Sequence, residues 1–127
     1  MADAKKRVAV IEDDRFLSTL IKTRLEREGL EVVQCFDGEQ AVAWLRNNKP
    51  DALILDLIMP KMSGFDVLEA MSMDPQMNTI PVIVLSNLAQ ESDVEKAKRY
   101  GAKEYFVKVR ISIDAVASRV KALLDGK

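Results

Sequence analysis

Apolar residues fall along this chain in two alternating rhythms. Short runs predict strands at Arg7-Val8-Ala9-Val10-Ile11, Glu31 to Phe36, Ala52-Leu53-Ile54-Leu55, Pro81-Val82-Ile83-Val84-Leu85 and Tyr105-Phe106-Val107. Each is short, rich in β-branched, aliphatic or aromatic residues, and bounded by turn formers or charges. The third run stops abruptly at a carboxylate, Asp56, and reads as a central strand buried on both faces. The second carries polar residues and reads as nearer an edge.

Between these runs the spacing becomes helical. Phe16, Leu17, Leu20, Ile21 and Leu25 recur at helical intervals from Arg15 to about Glu28, and Gly29 supplies a stop. Asp37-Gly38-Glu39-Gln40 caps a helix running through Ala41, Trp44 and Leu45 to about Asn47. Ser63-Gly64-Phe65-Asp66 is a capping box opening a helix with Val67, Leu68 and Met71 on one side. A polar connection holding Pro75 spans Met73 to Thr79. Ser92 and Glu95 suggest another capping box, for a helix with Val94, Ala97 and Tyr100 inward and Gly101 past its end. Ile113, Val116, Val120 and Leu123 stripe the last helix before Gly126.

Strand and helix alternate five times, which implies right-handed βαβ units and a parallel sheet covered by helices on both faces. The expected fold is a doubly wound α/β sandwich of three layers. No linker, repeat or low-complexity stretch interrupts it, so one domain over residues 1–127 is expected.

Composition narrows the chemistry. The chain has 127 residues, enough for a proper core, and its formal net charge of −1 gives no electrostatic argument for nucleic acid or membrane binding. The longest apolar run, around Pro81 to Leu85, is far too short to span a bilayer. Met1 to Arg7 carries charges with no apolar segment after them, so no secretory signal is visible. A single cysteine, Cys35, has no intrachain partner and suits a reducing cytoplasm. There is no histidine, which excludes a His-based triad, His-ligated zinc and a phosphohistidine carrier. Any chemistry must run on carboxylates, hydroxyls and amines.

Four of the five predicted strands end in such groups: Glu12-Asp13, Asp56, Ser86 and Lys108. In a parallel sheet these ends share one rim. Singly, each has a bland explanation: an acidic turn favouring the next helix, a cap, a loop hydroxyl, a surface ammonium. Jointly they make a site, because carboxylates rarely end buried strands. Three converging carboxylates repel one another, and a hard divalent ion such as Mg²⁺ relieves that repulsion. An ion beside one carboxylate, with a lysine and a hydroxyl nearby, suits a phosphoryl group. Asp56 would be the nucleophile, forming an aspartyl phosphate.

The whole chain resembles a response-regulator receiver domain of the CheY-like kind, the acceptor half of two-component signalling. The matching residues are Glu12-Asp13, Asp56 within the D-x-x-M-P-x-M-x-G stretch to Gly64, Ser86, Tyr105 and Lys108. The resemblance implies the flavodoxin-like strand order 2-1-3-4-5. It implies Mg²⁺, with Mn²⁺ as a substitute, on Glu12, Asp13, Asp56 and the backbone carbonyl of Ile58. It implies that Asp56 accepts a phosphoryl group from a sensor histidine kinase or phosphotransfer protein. Ser86 would then move to the phosphoryl oxygens, Lys108 would pair with them, and Tyr105 would turn inward behind Ser86. The output face would be the fourth helix, fifth strand and last helix. Such a protein is cytoplasmic, a monomer or weak phosphorylation-dependent dimer, and catalyses its own phosphorylation and dephosphorylation without being a turnover enzyme. Direct nucleic acid or membrane binding is not expected.

Two departures from the family pattern stand out. Val109 follows Lys108 where proline is usual, so a trans bond and a different loop are expected there. Asn87 replaces a smaller residue and is expected to narrow the entrance. Ile58 and Leu88, two residues after the acceptor and the hydroxyl, cannot hydrogen-bond a water, which suggests a long-lived aspartyl phosphate. Other readings are a phosphorylation-independent binding module, a receiver fragment of a longer regulator lacking its effector domain, an FMN protein or an aspartate-nucleophile phosphatase. The first would lack an acid, hydroxyl or lysine, and none is missing. The last two lack a phosphate cradle and a second acid after Asp56, where Ile58 stands. The run Ala102-Lys103-Glu104-Tyr105 departs from the Ala-Asp-Asp-Tyr of one transcription-factor subfamily and argues against its dimer mode.

Overall fold

The computed structural model describes residues 5–126; Met1 to Ala4 and Lys127, the ends of the expected domain, lie outside the described residues. Five strands and five helices alternate. They are β1 (Arg7–Ile11), α1 (Arg15–Glu26), β2 (Glu31–Cys35), α2 (Gly38–Leu45), β3 (Ala52–Leu55), α3 (Gly64–Ser72), β4 (Val82–Ser86), α4 (Glu91–Arg99), β5 (Glu104–Val107) and α5 (Ile113–Leu124). The strands form one parallel sheet in the order β2-β1-β3-β4-β5, as the resemblance implied.

The sheet separates two apolar layers because successive strand residues point to opposite faces. Ala9, Ile11, Leu53, Leu55 and Val84 meet α2, α3 and α4 through Ala41, Leu45, Val67, Leu68, Met71 and Ala97. Val8, Val10, Ile54, Ile83 and Leu85 meet α1 and α5 through Ile21, Leu25, Val116, Ala117 and Val120. β3 is buried at every position and supplies both layers. Its Leu53, Ile54 and Leu55 each contribute roughly 1.5–3 kcal/mol of burial. Asp56 therefore hangs from a part of the sheet that resists movement.

Several local expectations hold. Gly29, Gly101 and Gly126 follow helices at positive φ, and Ser63 with Asp66 makes the capping box of α3. Others are corrected. α4 begins at Glu91 after Gln90, with no side-chain cap, so Ser92 lies inside the helix rather than capping it. Phe16 and Leu20 on α1 face outward, and Ser18 is fully buried in their stead. The reason is a partner: Ser18 Oγ accepts from Gln34 Nε2 at 3.0 Å, which makes its burial tolerable. The polar Met73–Thr79 connection also sends Met77 into the core, together with Ile80 after it. No helix among the described residues is long and apolar enough to cross a membrane.

Candidate functional site

Parallel strands deliver their carboxyl ends to one rim, and there the acids meet. Ligand-capable oxygens of Glu12, Asp13 and Asp56 all lie within 4.8 Å of one another. Glu12 and Asp56 are buried, whereas Asp13 is exposed. Lys108, from the end of β5, reaches across: its Nζ is 2.7 Å from Glu12 Oε1 and 2.8 Å from Asp56 Oδ2. The peptide after Lys108 is trans, and Lys108 to Arg110 wind into a short 3₁₀ turn. The altered loop leaves the lysine's reach intact.

The two buried acids are also held locally. Glu12 Oε2 accepts from Asp14 N at 3.0 Å, and Asp14 in turn caps α1 by accepting from Leu17 N. Asp56 Oδ1 accepts from Ile58 N at 3.3 Å, leaving that oxygen less firmly held than Oδ2. The Ile58 side chain is exposed. Behind Asp56, Gly64 N donates to Leu57 O at 3.0 Å. A Cβ on Gly64 would lie 2.1 Å from the backbone oxygen of Asp56, so only glycine permits this approach. Gly38 meets Met62 in the same way, its added Cβ falling 2.3 Å from the Met62 oxygen.

Electrostatics here are a contest between burial and pairing. Burial is the largest influence on Glu12 and raises its carboxyl above the usual range, with the Asp56 charge adding to it; bonds to Lys108 and Asp14 oppose this. Burial would lower the Lys108 ammonium, but its bonds to Asp56 and then Glu12 leave it above its ordinary value. The two partners weigh their shared contact differently because one ammonium serves two carboxylates. Glu12 holds half a partner, and Lys108 holds two.

Ser86 and Tyr105 converge on a different point. Ser86, fully buried, closes β4 as expected. Its Oγ accepts from Leu88 N at 3.3 Å, while Tyr105 Oη donates to Leu88 O at 2.6 Å. Both side chains thus grip the main chain of one loop residue and make no direct bond to the acids. Burial, followed by the charges of Asp93 and Asp56, raises the Tyr105 phenol and keeps it a donor. Asn87 Oδ1 accepts from Val109 N at 3.2 Å, which ties the loop after β4 to the loop after β5. A proline after Lys108 could not donate this bond, so the two departures from the family pattern are one feature.

The acidic trio fits a divalent cation. The donors are hard oxygens, two of them on immobilised carboxylates, and together they carry more negative charge than Lys108 balances. Sequence reasoning located these groups but missed the dual pairing of Lys108, the Leu88 main chain and the Asn87–Val109 tie. Only the last left a signal, in the coincidence of two unusual residues.

A family model described as the response regulator receiver domain matches residues 8–121. The phosphate regulon transcriptional regulatory protein PhoB of Rhizobium meliloti is 36% identical over 118 residues, covering 93% of this chain and 52% of that protein. The chain thus spans about half the length of that curated relative. Protein PilH of Pseudomonas aeruginosa is 29% identical over 120 residues, covering 94% of this chain and 98% of PilH. Among solved structures, the receiver domain of the Francisella response regulator 1452 superposes with a TM-score of 0.87 at 30% identity, covering 95% and 98% of the two chains.

Proposed function

Since the chain belongs to the response regulator receiver domain family, we propose that it is a phosphoryl-accepting switch in two-component signalling, with Asp56 as acceptor. The donor is a phosphohistidine on a sensor kinase or phosphotransfer protein. An Asp56 oxygen attacks phosphorus, the P–N bond breaks, and its electron pair returns to the imidazole. Glu12, Asp13, Asp56 and the Ile58 carbonyl would hold Mg²⁺, which when bound supplies positive charge to the phosphoryl oxygens. Lys108 keeps Asp56 oriented through Oδ2, leaving Oδ1 as the freer nucleophile, and then pairs with the new anion.

Ser86 and Tyr105 carry the signal outward. When the Ser86 hydroxyl turns to the phosphoryl group it releases Leu88 N, and Tyr105 responds because it holds Leu88 O. The partner reads the face of α4, β5 and α5. The protein is not a turnover enzyme, acts in the cytoplasm, and needs no direct nucleic acid or membrane contact in this segment.

The observation that carries this reading is the single lysine bonded at once to two buried carboxylates, with a third beside them. The test is incubation with acetyl phosphate and Mg²⁺, in parallel with Asp56→Asn. Labelling of the parent alone is expected, and equal labelling of the variant overturns the assignment. Ser86→Ala should still be labelled while losing most of the phosphorylation-dependent gain in partner affinity.

A further inference from the structure

We infer that the stacking of Arg15 on Phe36 is a positioning device for Asp13, and that it sets how tightly the acidic trio takes a divalent cation. This rests on the metal reading proposed above. The three acids are unequally prepared for that task. Glu12 and Asp56 are buried and bound to Lys108. Asp13 is exposed, and its carboxylate has no hydrogen bond or ion pair among the described residues. A flexible ligand loses more freedom on coordination, so whatever restrains its main chain strengthens binding.

Two ties join the segment around Asp13 to the end of β2 and the turn that follows it. Before Asp13, Glu12 N donates to Cys35 O at 3.0 Å. After it, the Arg15 guanidinium lies 3.9 Å from the centre of the Phe36 ring. Phe36 is a firm abutment: its N–H donates to Gln40 Oε1 at 2.7 Å, and Asp37 beside it caps α2. Asp37 also pairs with Lys61 at 3.7 Å, in the loop that follows Asp56. The β2–α2 turn therefore touches both loops beside the acids, and Arg15 is the side chain through which it reaches the first.

The sign of one effect separates positioning from plain electrostatics. Arg15 is a cation at the start of α1, beside the site, so by charge alone its removal would tighten binding of a divalent ion. Positioning requires the reverse. Phe36→Leu removes the ring face and leaves every charge in place.

Mg²⁺ would be titrated calorimetrically into the parent, Arg15→Ala, Phe36→Leu, the double variant and Phe36→Tyr, each shown to be folded by metal-free denaturation. Each of the two single losses should weaken binding about three- to tenfold. The double variant should be no weaker than the weaker single, and Phe36→Tyr should match the parent. Tighter or unchanged binding by Arg15→Ala, parent-like binding by Phe36→Leu, or losses that multiply would overturn the inference. If the parent shows no saturable uptake, the metal reading falls and this one with it. If the parent binds and Phe36→Leu binds equally, only the positioning role falls.

Discussion

Lys108→Ala removes the one cation that two buried carboxylates share. Its contacts of 2.7 and 2.8 Å are to side chains only 3% and 5% exposed. At an effective dielectric constant of about 20, each contact supplies roughly 6 kcal/mol of attraction. Oxygens of the two buried acids, Glu12 and Asp56, lie within 4.8 Å of each other and repel by roughly 3.5 kcal/mol on the same scale. Deleting the lysine forfeits the attraction and exposes this repulsion, while sparing the cost of burying an ammonium. The net loss should be about 3–5 kcal/mol, typical of a buried pair deprived of one partner. Protonation limits the damage. The Glu12 carboxyl already sits above its ordinary 4.5, and without Lys108 it rises further. Above the unfolded value and up to the raised native one, the native state holds more protons than the unfolded, so stability falls as pH rises through that window. The deficit should thus be largest at alkaline pH and shrink as pH falls toward the ordinary carboxylate range. Urea denaturation at an alkaline and a mildly acidic pH measures it. Excess Mg²⁺ should stabilise the variant more than the parent, since no ammonium competes with the ion. A deficit under about 1 kcal/mol near neutrality, or one indifferent to pH, would refute the reasoning.

Gly64→Ala forces a Cβ against backbone that cannot yield and should cost about 2–4 kcal/mol; melting should show a far larger loss than for Gly101→Ala, where φ is +105° but nothing lies within 4 Å, and equal losses would count against the close-approach argument. Burial, then the Asp37 charge, pushes the Cys35 thiol from 9.0 up to about 11. Between these values the native state keeps a proton the unfolded state has released, so stability should fall by up to about 3 kcal/mol across the window. In Cys35→Ala that slope should be flatter under alkaline denaturation, and an unchanged slope would discount the thiol. Ile58→Asn combined with Leu88→Glu should speed loss of the phosphoryl group from Asp56, because polar side chains there can orient an attacking water. Decay in Mg²⁺ buffer without kinase measures it, and an unchanged rate would discount shielding by these two residues.

The fold was legible because central strands of a parallel sheet are apolar on both faces, so β3 and β4 announce themselves in sequence. What stayed hidden was settled by partners rather than periodicity. Ser18, not Phe16 or Leu20, shares the buried face of α1 with Ile21 and Leu25, and its hydroxyl finds a partner in Gln34 on β2. The cap of α4 was misread because Ser-x-x-Glu competes with a plain start at Gln90 that uses no side chain. At the site, strand ends converge by topology, so Glu12, Asp13, Asp56 and Lys108 could be named. How one lysine divides itself between two acids depends on side-chain rotamers that no spacing encodes. The Arg15–Phe36 stack joins two turns with no periodic pattern to read.

The fit of Gly64 against the end of β3 makes the rim mechanically lopsided. Helix α3 is keyed to the very peptide that bears Asp56, with no clearance for a side chain between them. Across the site, α4 buries a single residue, Ala97, and starts without a side-chain cap. If Asp56 takes up a phosphoryl group as proposed, the resulting strain would meet a stiff wall on one flank and a compliant one on the other. A small displacement would then be rectified: it would spend itself on the β4–α4 loop, where Leu88 is gripped from both sides, with the stiff flank as its fixed point.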